Sequence, residues 1–138
     1  MNVEWIAYET VLIFHEEQIG EHGGASGLRN EGGLRSALAR PENLAAYGKP
    51  DLFDLAAAYA SGISQNHPFV DGNKRTALLV AVAFLDLNGQ ELKAAEAEAA
   101  VVFLRLAAGD FSEAELADWF RRNCDPPATE FLSAEQDQ

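Results

Sequence analysis

The chain of 138 residues carries 22 acidic against 10 basic side chains, a formal net charge of −12. Such a surface repels polyanions, so nucleic acid is excluded as the main partner, and a protein docking by charge must offer a basic or neutral face. One domain with a single core is expected at this length, and 48% hydrophobic with 23% charged residues is ordinary for a soluble globular fold. The longest apolar run, 77–85, falls short of the about 20 residues a bilayer crossing needs. The first residues lack the basic start of a signal peptide. Cys124 stands alone, which permits neither an intramolecular disulfide nor a cysteine metal site. A cytoplasmic protein without a membrane partner is expected.

An all-α bundle of about six helices is expected over 1–124, followed by a flexible acidic tail over 125–138. Apolar positions Val3, Ala7, Val11 and Phe14, with Trp5, Tyr8 and Leu12, have helical spacing, so a first helix is expected from Val3 to about Ile19. Asn2 would cap it and Gly20 would stop it, leaving a glycine-rich loop over 20–33. Leu34–Arg40 reads as a short helix ended by Pro41. Asp51 opens a third, Leu52 to about Gln65, in which Gly62 costs roughly 1 kcal/mol against alanine and implies close packing by another helix.

The fourth helix, about 73–87, is apolar nearly all round and is expected at the centre of the bundle. Asn88-Gly89 ends it. Residues 90–93 read as a linker with a strand fragment. A fifth helix over 94–108 would turn Val101, Leu104 and Ala108 inward. Ser112 and Glu115 form a capping box, with Phe111 and Leu116 as its staple, and open a last helix to about Asn123.

The chemistry concentrates in residues 67–77, His-Pro-Phe-Val-Asp-Gly-Asn-Lys-Arg-Thr-Ala. Gly72 and Asn73 stand at a helix mouth, where outward N–H groups and the helix dipole cradle a phosphate. Lys74 and Arg75 add cations at the end of the helix that disfavours them, so an anion is needed beside them. His67 accepts a proton near neutral pH, and Asp71 suits a divalent cation on phosphate oxygens. Read from chemistry alone, the site moves a phosphorus-centred group from a nucleotide to a nucleophile. Plainer roles stand beside these: a capping histidine at 67, a helix-capping carboxylate at 71, a helix-start amide at 73, and solvated cations at 74 and 75. Pro68 and Phe69 read as loop structure and Thr76 as packing. His15 reads as a satisfied, half-buried histidine, and His22 has no geometric case for catalysis. The Trp5/Tyr8/Leu12 and Trp119/Phe120 stripes read as core or interface anchors. Arg29 and Arg35 are open between target contacts and surface charge.

The same eleven residues are similar to the signature loop of the Fic/Doc family, His-Pro-Phe, two variable positions, then Gly-Asn and basic residues. Asn73-Lys74-Arg75-Thr76-Ala77-Leu78 resembles the Doc branch in particular. Residues 27–41 and Phe84-Leu85-Asp86-Leu87-Asn88-Gly89 also resemble Doc-type segments, so the likeness spans roughly 3–123. It implies His67 as general base, Asp71 on magnesium, and Gly72, Asn73, Lys74 and Arg75 around the phosphates of ATP. It also implies a target-aligning flap between the first two helices. AMP-transferring relatives usually have glycine at the position of Lys74 and a second arginine at that of Leu78, so the resemblance favours the Doc activity. That activity is phosphorylation of a protein hydroxyl, with elongation factor Tu as the implied target and arrest of translation as the outcome. AMP transfer and a catalytically silent binding module are the alternatives. The family's self-inhibiting Ser/Thr-x-x-x-Glu-Gly/Asn motif is missing, since Ser26 to Glu31-Gly32 is one residue too long, and a separate antitoxin partner is therefore expected.

Overall fold

The structure, a computed structural model, describes residues 2–126. It contains six helices: α1 Tyr8–His22, α2 Glu31–Tyr47, α3 Leu52–Asn66, α4 Asn73–Leu87, α5 Glu96–Ala107 and α6 Glu113–Asn123. Strand β1, Glu91–Leu92, pairs antiparallel with β2, Cys124–Asp125, so the expected strand fragment exists and residue 125 belongs to it. The rest of the expected tail, from residue 127 on, lies outside the described residues.

The core is built on α3 and α4. The ten residues Leu55–Ser64 are all buried, which a helix facing α2, α4, α5 and α6 can achieve only with small side chains at most positions. Alanines at 56, 57, 58 and 60, with Ser61 and Gly62, meet that need. A Cβ on Gly62 would lie 3.2 Å from the Ala37 Cα, so the α2–α3 contact is as close there as the glycine implies. Helix α4 buries Ala77, Val80, Ala81, Phe84 and Leu85 and leaves Leu79 and Leu87 at the surface.

Three expected boundaries are corrected, two of them by tertiary partners that local propensity does not contain. Residues 3–7 lie outside any helix, and α1 begins at Tyr8 with Ala7, in extended backbone, rather than Asn2 before it. Their backbone bonds go elsewhere: Asn88 exchanges two 2.9 Å bonds with Glu4, and the Tyr59 hydroxyl accepts from the Ile6 N–H at 3.1 Å. Burial pushes the Tyr59 hydroxyl up to about 12. Gly20 sits inside α1 with open space around it, and the stop comes at Gly23, where φ is +81°. Helix α2 includes Gly32 and Gly33 and runs through Pro41 to Tyr47. An internal proline removes one bond and costs about 3 kcal/mol in isolation. Here Pro41 is buried, and Leu44 and Ala45 beyond it pack on the core, which continues the helix.

The inner stripe of α5 is also corrected. Val101 and Leu104 are each 56% exposed, while Ala99, Val102, Phe103 and Leu106 face inward. One residue of helix turns the face by about 100°, and the aromatic contact of Phe103 with Phe120, centroids 6.4 Å apart, selects this phase. At the next helix the expected capping box is present, with reciprocal 3.0 Å bonds between Ser112 and Glu115.

Candidate active site

Helix α3 ends at His67, the only non-glycine residue among those described with positive φ, at +45°. A left-handed conformation costs a β-carbon residue about 1–2 kcal/mol, so the surroundings must hold it. They do so through side-chain and backbone bonds that join the loop to the glycine-rich segment. The Arg29 guanidinium donates to the His67 carbonyl at 2.7 Å, and the Arg29 and Asn30 N–H groups donate to the Pro68 carbonyl at 2.8 and 2.9 Å. Val70 N–H donates to the Gly27 carbonyl at 3.1 Å, so Leu28 and Phe69 lie opposite each other as an antiparallel bridge. The Asn66 amide closes the same junction on the Gly33 carbonyl at 2.9 Å. With its backbone pinned this way, the imidazole of His67 remains exposed to solvent.

Phe69 plugs the loop into the core at 1% exposure, which leaves its backbone polar groups in need of partners. Asn73 supplies both: its Oδ1 accepts from the Phe69 N–H and its Nδ2 donates to the Phe69 carbonyl, each at 3.0 Å. The amide of Asn73 is itself buried and is committed to the loop. Beneath the loop, the ring of His15 stacks on Phe69 with centroids 3.8 Å apart and planes 7° from parallel. Its Nε2–H donates to the Asp71 carbonyl at 2.8 Å.

The mouth of α4 is uncapped. Gly72, at φ +77°, precedes it, no side chain caps its N–H groups, and its first turn holds no acidic residue. Gly72 must be glycine twice over, because a Cβ would also overlap the Gln18 amide. Lys74 and Arg75 are exposed in that first turn, without an ion pair among the described residues. Free N–H groups and two cations at the positive end of a helix dipole are an arrangement that an anion would stabilise. Asp71 flanks it without capping: its Oδ1 accepts from the Gly72 N–H at 2.9 Å and its Oδ2 from the Ala25 N–H at 3.3 Å. The six expected residues, His67, Asp71, Gly72, Asn73, Lys74 and Arg75, thus share one turn between the end of α3 and the start of α4. Among the described residues no three His, Cys, Asp or Glu side chains cluster, so a divalent cation here would combine Asp71 with oxygens from its ligand.

Four further residues shape this turn: His15, Gln18, Gly24 and Arg29. Gln18 and Gly24 are not marked by the sequence; His15 is satisfied as expected, though fully rather than half buried, and Arg29 is bonded to the loop, each through a contact with residues more than thirty positions away. Arg35, the other open arginine, is engaged locally, 4.0 Å over the Tyr8 ring and paired with Glu31 at 3.4 Å. His22 lies only beside Glu21.

The bundle thus presents an exposed histidine, a carboxylate and a cationic helix mouth on one loop. Residues 5–85 match the Fic/DOC family, and the chain belongs to that family, on its Doc side. It is similar to the protein kinase doc of Escherichia phage P1, 33% identical over 118 residues that cover 85% of this chain and 93% of that protein. It is also similar to the toxin Doc of Mycolicibacterium smegmatis, 45% identical over 75 residues, 52% of this chain and 57% of that one.

Proposed function

We propose that this protein is the toxin of a toxin–antitoxin pair and transfers the terminal phosphoryl group of ATP to a protein hydroxyl. The observation that carries the proposal is the uncapped mouth of α4, whose first turn places Lys74 and Arg75 beside free N–H groups. This arrangement is electrostatically unfavourable without an anion and favourable around a polyphosphate. The names of the two relatives, a protein kinase and a toxin, support the same reading.

The residues divide the work as follows. Backbone N–H groups of α4 bind phosphate oxygens, with Lys74 and Arg75 neutralising the charge that develops on them. Asp71 would hold magnesium against the same oxygens; bound there, the ion supplies further charge neutralisation and orients the phosphates. His67, exposed at the C-terminus of α3, takes the proton from the target hydroxyl as that oxygen attacks phosphorus. Asn73 contributes its backbone N–H, since its side chain braces Phe69. The long side chain of Lys74 stands where a small residue would leave the nest open, which favours transfer of the terminal phosphoryl group over transfer of AMP. Elongation factor Tu is the target the family likeness suggests, and the net charge of −12 suits a basic antitoxin segment.

The test is His67→Ala. Loss of about 10²–10⁴-fold in transfer, with ATP affinity and thermal stability unchanged, is the outcome expected for a general base. Transfer within threefold of the unmodified protein removes His67 from the chemistry.

A further inference from the structure

We propose that His15 on α1 is a positioning residue, which sets the geometry of the Asp71 carboxylate through the backbone beneath it. The inference rests on the proposed role of Asp71 at the phosphates and goes beyond it to the residue that fixes its carboxylate.

The peptide unit is planar, and its C=O and N–H point in opposite directions. Anchoring a carbonyl therefore aims the N–H of the next residue. His15 Nε2–H holds the Asp71 carbonyl at 2.8 Å, and the N–H at the other end of that peptide, Gly72, donates to Asp71 Oδ1 at 2.9 Å. The imidazole thus orients the Asp71 carboxylate without touching it. One turn along α1, on the same face, Gln18 repeats the device. Its Nε2 lies 3.4 Å from the Gly72 carbonyl, and the far end of that peptide is the Asn73 N–H, the first donor of the α4 mouth. The Gly72 carbonyl also accepts from Thr76 N–H at 3.0 Å, which ties this peptide to the α4 axis.

His15 is poorly explained as filler. It is 3% exposed, yet an imidazole in a helix–loop contact costs desolvation that a leucine would not. What the imidazole adds is a donor in the plane of a ring stacked on Phe69, so a single side chain fixes both the plug and the carbonyl two residues later. The spacing of His15 and Gln18, three residues apart, puts both on the inner stripe with Val11.

The test pairs two substitutions. His15→Phe keeps the stack and removes the donor; His15→Gln removes the stack and keeps a donor near the position of Nε2. In His15→Phe, amide exchange at Val70 and Gly72 should accelerate, and the manganese concentration needed to support ATP binding should rise about 10-fold. Binding is read in a His67→Ala background, where no turnover is expected. His15→Gln should restore both readouts to within about threefold. In transfer assays, His15→Phe combined with Asp71→Asn should be no slower than Asp71→Asn alone, because the two act on one group. Multiplying losses in the double variant overturn the proposal, as does a His15→Phe protein that melts lower with unchanged amide exchange and metal dependence. In the unmodified protein, long-range ¹H–¹⁵N spectra must show the His15 ring protonated at Nε2. A ring protonated only at Nδ1 overturns the proposal whether or not either variant folds. If the unmodified protein transfers no label, the proposed function fails, while amide exchange and the ring tautomer still decide the role of His15.

Discussion

Asn73 offers the sharpest separation between a residue that holds the site and one that serves the ligand. Its side chain makes two 3.0 Å bonds to the backbone of Phe69, whose N–H and carbonyl lie in a residue 1% exposed. Asn73→Ala removes both bonds and leaves two backbone groups without a protein partner. At about 1 kcal/mol net for each bond, and more where a buried group stays unpaired, the loss sums to about 2–4 kcal/mol. For a domain of this size that lowers the melting temperature by about 6–15 °C. Denaturant unfolding and calorimetry on the nucleotide-free protein measure the loss directly. Asn73→Asp retains the acceptor for the Phe69 N–H but sets a carboxylate against the Phe69 carbonyl, so it should be no more stable than Asn73→Ala. A nucleotide-free Asn73→Ala protein within about 0.5 kcal/mol of the unmodified one, with weakened ATP binding, would refute the brace and make the amide a phosphate ligand.

Gly24→Ala should reduce transfer about 10–100-fold with the fold retained, because a Cβ there lies 2.7 Å from Asp71 Oδ2; unchanged transfer with folded protein counts against Asp71. Burial raises the Asp51 carboxyl, but the Asp54 N–H and Arg121 outweigh it and hold the group below the ordinary range. A depressed carboxyl stabilises the fold above its unfolded value of about 3.9, and the contribution is lost as pH falls through the folded value. Arg121→Ala should therefore melt lower at pH 6, by no more than about 1 kcal/mol for so exposed a cluster, and the gap should close below about pH 4; a constant gap contradicts this. Burial, with Asp125 and Asp86 adding, pushes the Cys124 thiol up to about 11. At pH 8 its alkylation, followed by mass spectrometry, should be about 10²-fold slower in the native protein than in denaturant, and near-equal rates would contradict that environment.

The helix count, the position of α4 and the crowding at Gly62 were legible because each rests on a local pattern or a single small residue. Pro41, Gly20 and residues 3–7 were not, because their conformations are decided by Leu44 and Ala45 on the core, by solvent around Gly20, and by Asn88 and Tyr59 across the bundle. The site divides in the same way. The contiguous residues 67–75 announce themselves by composition, whereas His15, Gln18, Gly24 and Arg29 gain their meaning only when α1 and the glycine-rich segment fold against that loop. Asn73 shows the limit in one residue: an amide in a phosphate-binding run, whose partners in the folded chain are the backbone of Phe69.

The most direct measurement uses two preparations of ATP, labelled on the terminal or on the innermost phosphate, with magnesium, the purified protein and a translation extract. His67→Ala serves as the blank. Terminal label appearing on a protein band, at the size of elongation factor Tu and absent from the blank, is the expected result. Innermost label on the band instead would mean AMP transfer and contradict the reading of Lys74 and Leu78, and no transfer of either label with intact ATP binding would leave a silent binding module.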